Sequence, residues 1–197
     1  MVLAGGRSQR LGRYKALETI GNESFIQRVI TRLSEVDEVI VVTSPRFLPV
    51  LAAQHLGVRL VVDVLPDLGP LGGIHSGLLA ARGRYGLVVG CDMPFLKPRL
   101  LEYLLELRSG FDIVVPRVRG LPEPLHAVYS RECIPVIECQ VQLGKKGVHQ
   151  LLEEVRVRYV EEEELDRFDP EHISLFNVNS VADIEKANEM MMREKDT

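Results

Sequence analysis

The chain has 197 residues, 46% of them hydrophobic and 26% charged, with a formal net charge of −4. That length and composition suit one globular domain with a full apolar core, and the acidic balance excludes a broad basic nucleic-acid surface. Tryptophan is absent, and the scattered tyrosines and phenylalanines do not make a stacking platform for single strands. Cys91, Cys133 and Cys139 are an odd set without paired metal-ligand spacing, so a reducing compartment is expected rather than a disulfide framework. No apolar run reaches transmembrane length, and glycines and arginines follow Ala4 at once where a signal peptide would stay apolar. The expectation is a cytoplasmic protein that binds neither membrane nor nucleic acid.

Met1 to Leu3 predict a short strand running into Ala4, Gly5 and Gly6. Arg7, Arg10, Arg13 and Lys15 follow, spaced by small and flexible residues. Paired glycines after a strand leave backbone N–H groups free to face an anion, and the cations suit a polyphosphate. The spacing matches neither GxxxxGK[ST] nor GxGxxG. Apolar residues at 25, 26, 29, 30 and 33 predict a helix capped by Asn22 or Ser24, then a buried strand at 39–42. A helix over 48–56 closed by Gly57 and a strand within 58–64 follow, and then the Pro/Gly-rich connection 65–73. Ile74, Leu78 and Ala81 mark a third helix. The strand 86–90 delivers Cys91-Asp92, Pro98 opens a helix lined by leucines, and 111–116 is the next strand.

Apolar strands without alternation, separated by helices, predict a doubly wound α/β fold with a mostly parallel sheet. From Arg117 the pattern changes to a loop leading into an edge strand that ends near Tyr129. Helices at 131–141 and after Gly147 precede an alternating strand at 155–160. Glu161 to Glu164 are expected as a solvated turn, and a terminal helix as 181–192. The domain is drawn as 1–192, with 193–197 a frayed tail.

Ligands of open α/β sheets bind outside the carboxyl ends of the strands. That rule gathers the first glycine loop, Asp63, the loop 69–73 and Asp92 on one rim. Asp92, a carboxylate at a strand end beside a cationic loop, is a candidate Mg²⁺ ligand, with a turn-capping role as its alternative. Lys15 and Arg10 are the candidate phosphate partners. Asp63 is either an acceptor for base N–H groups or a turn residue. His126 reads as a core or rim imidazole, and Cys91 as a small hydrophobe. No GxSxG motif exists to support a Ser/His/Asp triad.

VLAGGRSQRLGRYKAL resembles the signature LAGGxSxRxGxxK of the molybdenum cofactor guanylyltransferases. GPLGGIHSGL, CDMPFL, EPLHAVY and FNVNS followed by Ala182-Asp183 extend the resemblance over nearly the whole chain. The first motif is shared with sugar-phosphate nucleotidyltransferases and cytidylyltransferases, and the later ones narrow the choice. The resemblance implies a single-domain, three-layer sheet of the nucleotide-diphospho-sugar transferase type. It also implies Mg²⁺-dependent transfer of GMP from GTP to molybdopterin. Carried over by residue, Leu3, Ala4, Gly5 and Gly6 form the nucleotide loop, and Lys15 and Arg10 contact phosphate. Asp63 reads the base, Asp92 holds the metal, and Asn177 and Asn179 lie near the pterin. Implied partners are GTP, molybdopterin and the molybdoenzymes or other cofactor-biosynthesis proteins. A CTP- or sugar-phosphate-using relative and a non-catalytic nucleotide-binding homologue are the alternatives. Two departures stand out: Tyr14 occupies a position often acidic in the family, and Thr43-Ser44 lies where an asparagine is common.

Overall fold

The computed structural model describes residues 1–5 and 14–195. In chain order the strands are β1 (Val2–Leu3), β2 (Thr19–Ile20), β3 (Glu23–Ser24), β4 (Ile40–Thr43), β5 (Arg59–Val62), β6 (Tyr85–Gly90), β7 (Ile113–Val118), β8 (Leu121–Pro122), β9 (His126–Ser130) and β10 (Val157–Val160). The helices are α1 (Phe25–Thr31), α2 (Leu48–Ala52), α3 (Pro70–Ala80), α4 (Pro98–Glu106), α5 (Cys133–Gln142), α6 (Val148–Glu154), α7 (Glu162–Leu165) and α8 (Val181–Lys195).

The main sheet runs β10-β7-β9-β6-β1-β4-β5, with β8 beside β7, and β2–β3 form a separate hairpin. β1 pairs in parallel with β4 on one side and β6 on the other, and β4–β5 and β7–β10 are also parallel. Side chains alternate between the two faces, and each face has its own apolar layer. Val41, Leu87, Val89, Val114 and Val128 pack against Ile26 and Val29 of α1 and Leu100, Leu101 and Leu104 of α4. Ile40, Val88, Ile113, Ala127 and Tyr129 pack against Leu71, Ile74 and Leu78 of α3 and Ile137 of α5. Burial on both faces is why these strands read as unbroken apolar runs. A third cluster ties Ile20 and Phe25 to Phe95, Val178 and Ala187, which seats α8 and the β2–β3 hairpin beside the chain that follows β6. Ser24 caps α1: its Oγ accepts from Gln27 N at 3.4 Å, while Gln27 Oε1 accepts from Ser24 N at 3.1 Å.

Several boundaries move. α2 stops at Ala52, because only Leu51 of that helix is buried and the chain turns through His55 and Gly57, both at positive φ. α3 begins at Pro70, so the expected loop 69–73 is mostly the first turn of a helix. Gly69 at φ 57° makes the entry turn, and Pro70 takes the first helical position, where no N–H is needed. The expected edge strand is β9, and it is interior and antiparallel, inserted between β6 and β7. The fully buried faces of Ala127, Val128 and Tyr129 leave it no place at an edge. The acidic run forms a single helical turn, with Glu163 exposed and the others half-buried. Buried Leu165 anchors it, Glu164 accepts from Tyr103 Oη at 2.8 Å and Arg158 Nη2 at 2.6 Å, and Glu161 pairs with Arg117. The terminal helix continues past Met192 to Lys195. Among the described residues no helix is long and apolar enough to cross a membrane.

His126 is fully buried, and neither ring nitrogen has a hydrogen-bond partner among the described residues. Burial lowers its pKa from 6.5 to about 4, partly opposed by Asp169. The folded protein therefore holds a neutral ring, while the unfolded chain takes up a proton below pH 6.5. This residue's contribution is full above about pH 6.5 and is lost as pH falls toward 4. Between pH 7 and pH 5 the loss is about 2 kcal/mol. His126→Phe should remove that component, so urea unfolding at the two pH values should show a smaller acid-induced loss in the variant than in the wild type.

Candidate active site

The register of the three central strands sets the site. Leu3 of β1 lies opposite Val42 of β4 and Gly90 of β6, so the chain leaves all three strands at one level. Cys91 N donates to Leu3 O at 3.1 Å and Ala4 N to Val42 O at 2.8 Å. Asp63 N donates to Thr43 O at 2.8 Å, which brings the end of β5 to the same rim. Gly5 stands just beyond, near Ser44. Gly6 and Arg10, with Arg7 and Arg13, lie outside the described residues.

The chain returns at Tyr14. Its hydroxyl donates to Ala4 O at 2.5 Å and lies 3.2 Å from Thr43 Oγ1, and the Thr43 hydroxyl donates to the same carbonyl at 3.2 Å. The Tyr14 ring stacks on Phe47, with centroids 4.0 Å apart and planes 14° from parallel. Burial raises the Tyr14 pKa, so the hydroxyl stays a neutral donor. These contacts join the two ends of the 5–13 segment and aim the next residue, Lys15, into the rim. Tyr14 and Thr43 entered the sequence reading only as departures from a motif. Their signal was a phenol adjoining the candidate lysine and a hydroxyl at a strand end.

Lys15 opens a 3₁₀ turn, Lys15–Leu17, and its Nζ donates both to Asp92 Oδ2 and, at 2.7 Å, to Asn179 Oδ1. Both charged side chains are largely shielded from solvent. Asp92 follows β6 and folds back over Gly90, where an added Cβ would lie 2.4 Å from Asp92 Oδ1. Its carbonyl accepts from Val178 N at 3.0 Å, which fastens the segment before α8 to the rim. Asp183 then orders that segment. Its Oδ2 accepts from Asn179 N at 2.9 Å and Ser180 N at 2.8 Å, and these bonds hold its carboxyl below the usual range. Asn177 folds onto its own segment: Nδ2 donates to Leu175 O at 3.2 Å, and its carbonyl accepts from Asn179 Nδ2 at 3.4 Å.

Asp63 is buried, and its Oδ1 accepts from Leu65 N at 2.9 Å and Ser76 Oγ at 3.0 Å. Its Oδ2 accepts nothing from a described residue. Gly72 is required here, because a Cβ would lie 2.1 Å from Leu65 O and 3.1 Å from Asp63 Oδ1. Cys91 is buried, and its thiol pKa is raised by burial and by Asp92, which makes it inert as a nucleophile. The sequence reading quoted Glu123 only within a motif. It lies two residues before Leu125, whose carbonyl accepts from Gly90 N at 3.1 Å, and its own N donates to Pro116 O of β7. Glu123 is half-buried, and burial raises its carboxyl pKa.

No group of three or more His, Cys, Asp or Glu suited to a metal occurs among the described residues. The donor set near Lys15 is the Asp92 carboxylate. Magnesium commonly takes one or two carboxylates and completes its shell with water and substrate phosphates, so Asp92 fits an ion that arrives with a nucleotide.

Residues 1–162 match the model of the MobA-like NTP transferase domain. The chain is 41% identical over 194 residues to a probable molybdenum cofactor guanylyltransferase of Pelotomaculum thermopropionicum, covering 96% of this chain and 91% of that protein. It is 35% identical over 193 residues to the molybdenum cofactor guanylyltransferase of Desulfosudis oleivorans, covering 95% and 92%. The crystal structure of molybdopterin-guanine dinucleotide biosynthesis protein A from Archaeoglobus fulgidus superposes with a TM-score of 0.86 at 28% identity, covering 98% of this chain and 97% of that one.

Tyr14→Phe keeps the stack on Phe47 and removes the bonds to Ala4 and Thr43. Equilibrium denaturation should show a loss of about 1 kcal/mol. Gly72→Ala should cost more, on the order of 2–3 kcal/mol or a displaced α3 start, because the obstructing atom is backbone. A Gly72→Ala variant as stable as the wild type would show that the α3 entry yields without strain.

Proposed function

Because the chain belongs to the MobA-like NTP transferase family, we propose that it transfers GMP from GTP to molybdopterin, releasing pyrophosphate. The observation that carries this reading is the meeting of Lys15, Asp92 and Asn179, which come from three distant motifs. In-line attack by the terminal phosphate oxygen of the acceptor forms a bond to the α-phosphorus of GTP. The bond to the β-phosphate oxygen breaks, and pyrophosphate leaves with the electron pair. A phosphomonoester is largely dianionic near neutral pH, so the attacking oxygen needs no general base. Asp92 would hold Mg²⁺ with the nucleotide phosphates, and that ion supplies charge neutralisation around the reacting phosphorus.

Lys15 would exchange part of its contact with Asp92 for phosphate oxygens, where its charge counters the charge growing on the leaving group. Asn179 keeps the lysine at the rim during that exchange. The backbone of Leu3, Ala4, Gly5 and Gly6 would lie along the nucleotide, held by Tyr14, with Arg10 as a further phosphate contact. Asn177 and the Glu123 side of the rim would face the acceptor.

A second reading, transfer from CTP, draws support from Asp63. Two donors already occupy its Oδ1, which leaves Oδ2 as the oxygen for a base. A guanine N1–H and amino pair would have to share that atom. One assay separates the readings: molybdopterin, Mg²⁺ and either GTP or CTP, with the dinucleotide detected by mass and pyrophosphate by a coupled assay. GTP should give product. Product from CTP alone would overturn the guanine assignment. Asp92→Ala should lower pyrophosphate release by roughly 10²–10³-fold when assayed well below the melting temperature, which should itself fall because Lys15 loses its shielded partner, and retained activity would remove Asp92 from the metal role.

A further inference from the structure

Two carboxylates flank Asp92 along the sheet. Asp63 follows β5, three strands from β6 across β1 and β4. Glu123 lies on the other side, where the chain enters β9 at the carboxyl end of β6. Its amide donates to Pro116 O of β7 at 2.9 Å, and its carbonyl accepts from His126 N of β9 at 3.0 Å, so its backbone bridges the ends of those two strands. Neighbouring strands stand about 4.8 Å apart, which puts the ends of β5 and β7 roughly 15 Å and 10 Å from that of β6. Pro122 and Pro124 enclose Glu123, and a residue before proline is confined to extended backbone. Pro124 is fixed in turn by Tyr129 Oη, which donates to its carbonyl at 2.8 Å.

The backbone of Glu123 is committed to this turn, and its carboxylate is not. The side chain makes no hydrogen bond and no ion pair with a described residue; the titratable group that acts on it is His149, exposed in the first turn of α6. A half-buried carboxylate left this way loses hydration with no bond in return, a cost that is offset only when a ligand brings donors. A carboxylate accepts side by side from two adjacent N–H groups. A pterin offers such a pair in its ring N3–H and 2-amino group, and guanine offers the same pair at N1 and its 2-amino group. A product joining a guanine nucleotide to a pterin through phosphates carries one such edge at each end. The rim carries one carboxylate on each side of Asp92. In molybdopterin the phosphate and the aminopyrimidinone lie at opposite ends of the fused rings, so a phosphate at Asp92 sets that edge one or two strands away, toward β7. We infer that Glu123 reads the aminopyrimidinone edge of the pterin acceptor and sets acceptor specificity, an assignment that rests on the proposed guanylyl transfer.

Steady-state kinetics on the full chain test the assignment. Glu123→Gln keeps the size of the side chain and replaces one acceptor oxygen with a donor. The KM for molybdopterin should rise about 10–100-fold, with the effect on KM rather than kcat, an unchanged KM for GTP and no fall in melting temperature. A rise in the GTP KM alone would move Glu123 to the guanine and overturn the assignment, as would KM values equal to those of the wild type. A second readout needs no variant to fold: wild-type protein titrated into pterin or lumazine, which has a 2-oxo group in place of the 2-amino group, with binding read by quenching of their fluorescence. Pterin should bind at least about tenfold tighter, because the 2-oxo group sets an acceptor against the carboxylate. The two readings fail separately. A wild type that makes no dinucleotide yet prefers pterin, with that preference lost in Glu123→Gln, would remove the transfer and support the Glu123 site. Dinucleotide formation from GTP without a preference for pterin, through equal or absent binding, would keep the transfer and remove Glu123.

Discussion

The charge contact between Lys15 and Asp92, steadied by Asn179, is the interaction around which the rim is assembled. A lysine and an aspartate this well shielded would each lose hydration without recompense if left alone. Each is therefore stable in place only while the other is present. Because the lysine leads out of the glycine loop, the aspartate follows β6 and the asparagine precedes α8, one contact fixes three otherwise separate pieces of chain. Asp183 carries the constraint outward by holding the amides of Asn179 and Ser180. In the proposed reaction the ion pair would keep the site ready without a ligand, since both charges are already largely desolvated.

Much of this was legible in the sequence. The mostly parallel sheet covered on both faces follows from the unbroken apolar runs, and the strand-end position of Asp92 follows from the run that ends at Gly90. The place of α1 was also readable from its apolar spacing, with Asn22 or Ser24 as its cap, and the cap is Ser24. What stayed hidden depended on neighbours remote in the chain. β9 reads as an edge because Pro122 and Pro124 precede it, and nothing local reveals that β6 and β7 close around it. The stretch 69–73 reads as a connection because of its Pro and Gly content, whereas Gly72 is small to let α3 approach the Leu65 carbonyl. The acidic run reads as repulsive because its partners, Arg117, Arg158 and Tyr103, lie on other elements.

At the candidate site the same division holds. Asp63 and Asp92 follow the carboxyl ends of β5 and β6, and Lys15 is bonded to Asp92. Their relations were not visible. Asn179 was associated with the pterin side and is bonded to Lys15. Asp63 was assigned to the base, and half of its carboxylate is engaged in holding its own turn. Tyr14 was a departure from a motif and is the tie between the two ends of the loop. Pattern reading finds residues whose type is unusual for their place. It does not find which hydrogen-bond capacity is already used, because that is a property of the assembled neighbours.

The antiparallel insertion of β9 has a functional consequence that an edge strand would lack. In a parallel sheet every strand offers its carboxyl end to the ligand rim and its amino end to the opposite side. β9 runs the other way, so its amino end, with the Glu123–Leu125 segment before it, arrives beside the carboxyl end of β6. The rim is thereby widened past Asp92 without a further crossover helix. One side is then bounded by Ala4, Tyr14, Thr43 and Asp63, and the other by the segment leading into β9 and the turn before α8. A reaction that joins two substrates needs two such half-sites flanking one phosphorus. Under the proposed function, reversal of a single strand would provide the second half-site from residues that a purely parallel sheet would have placed on its far edge.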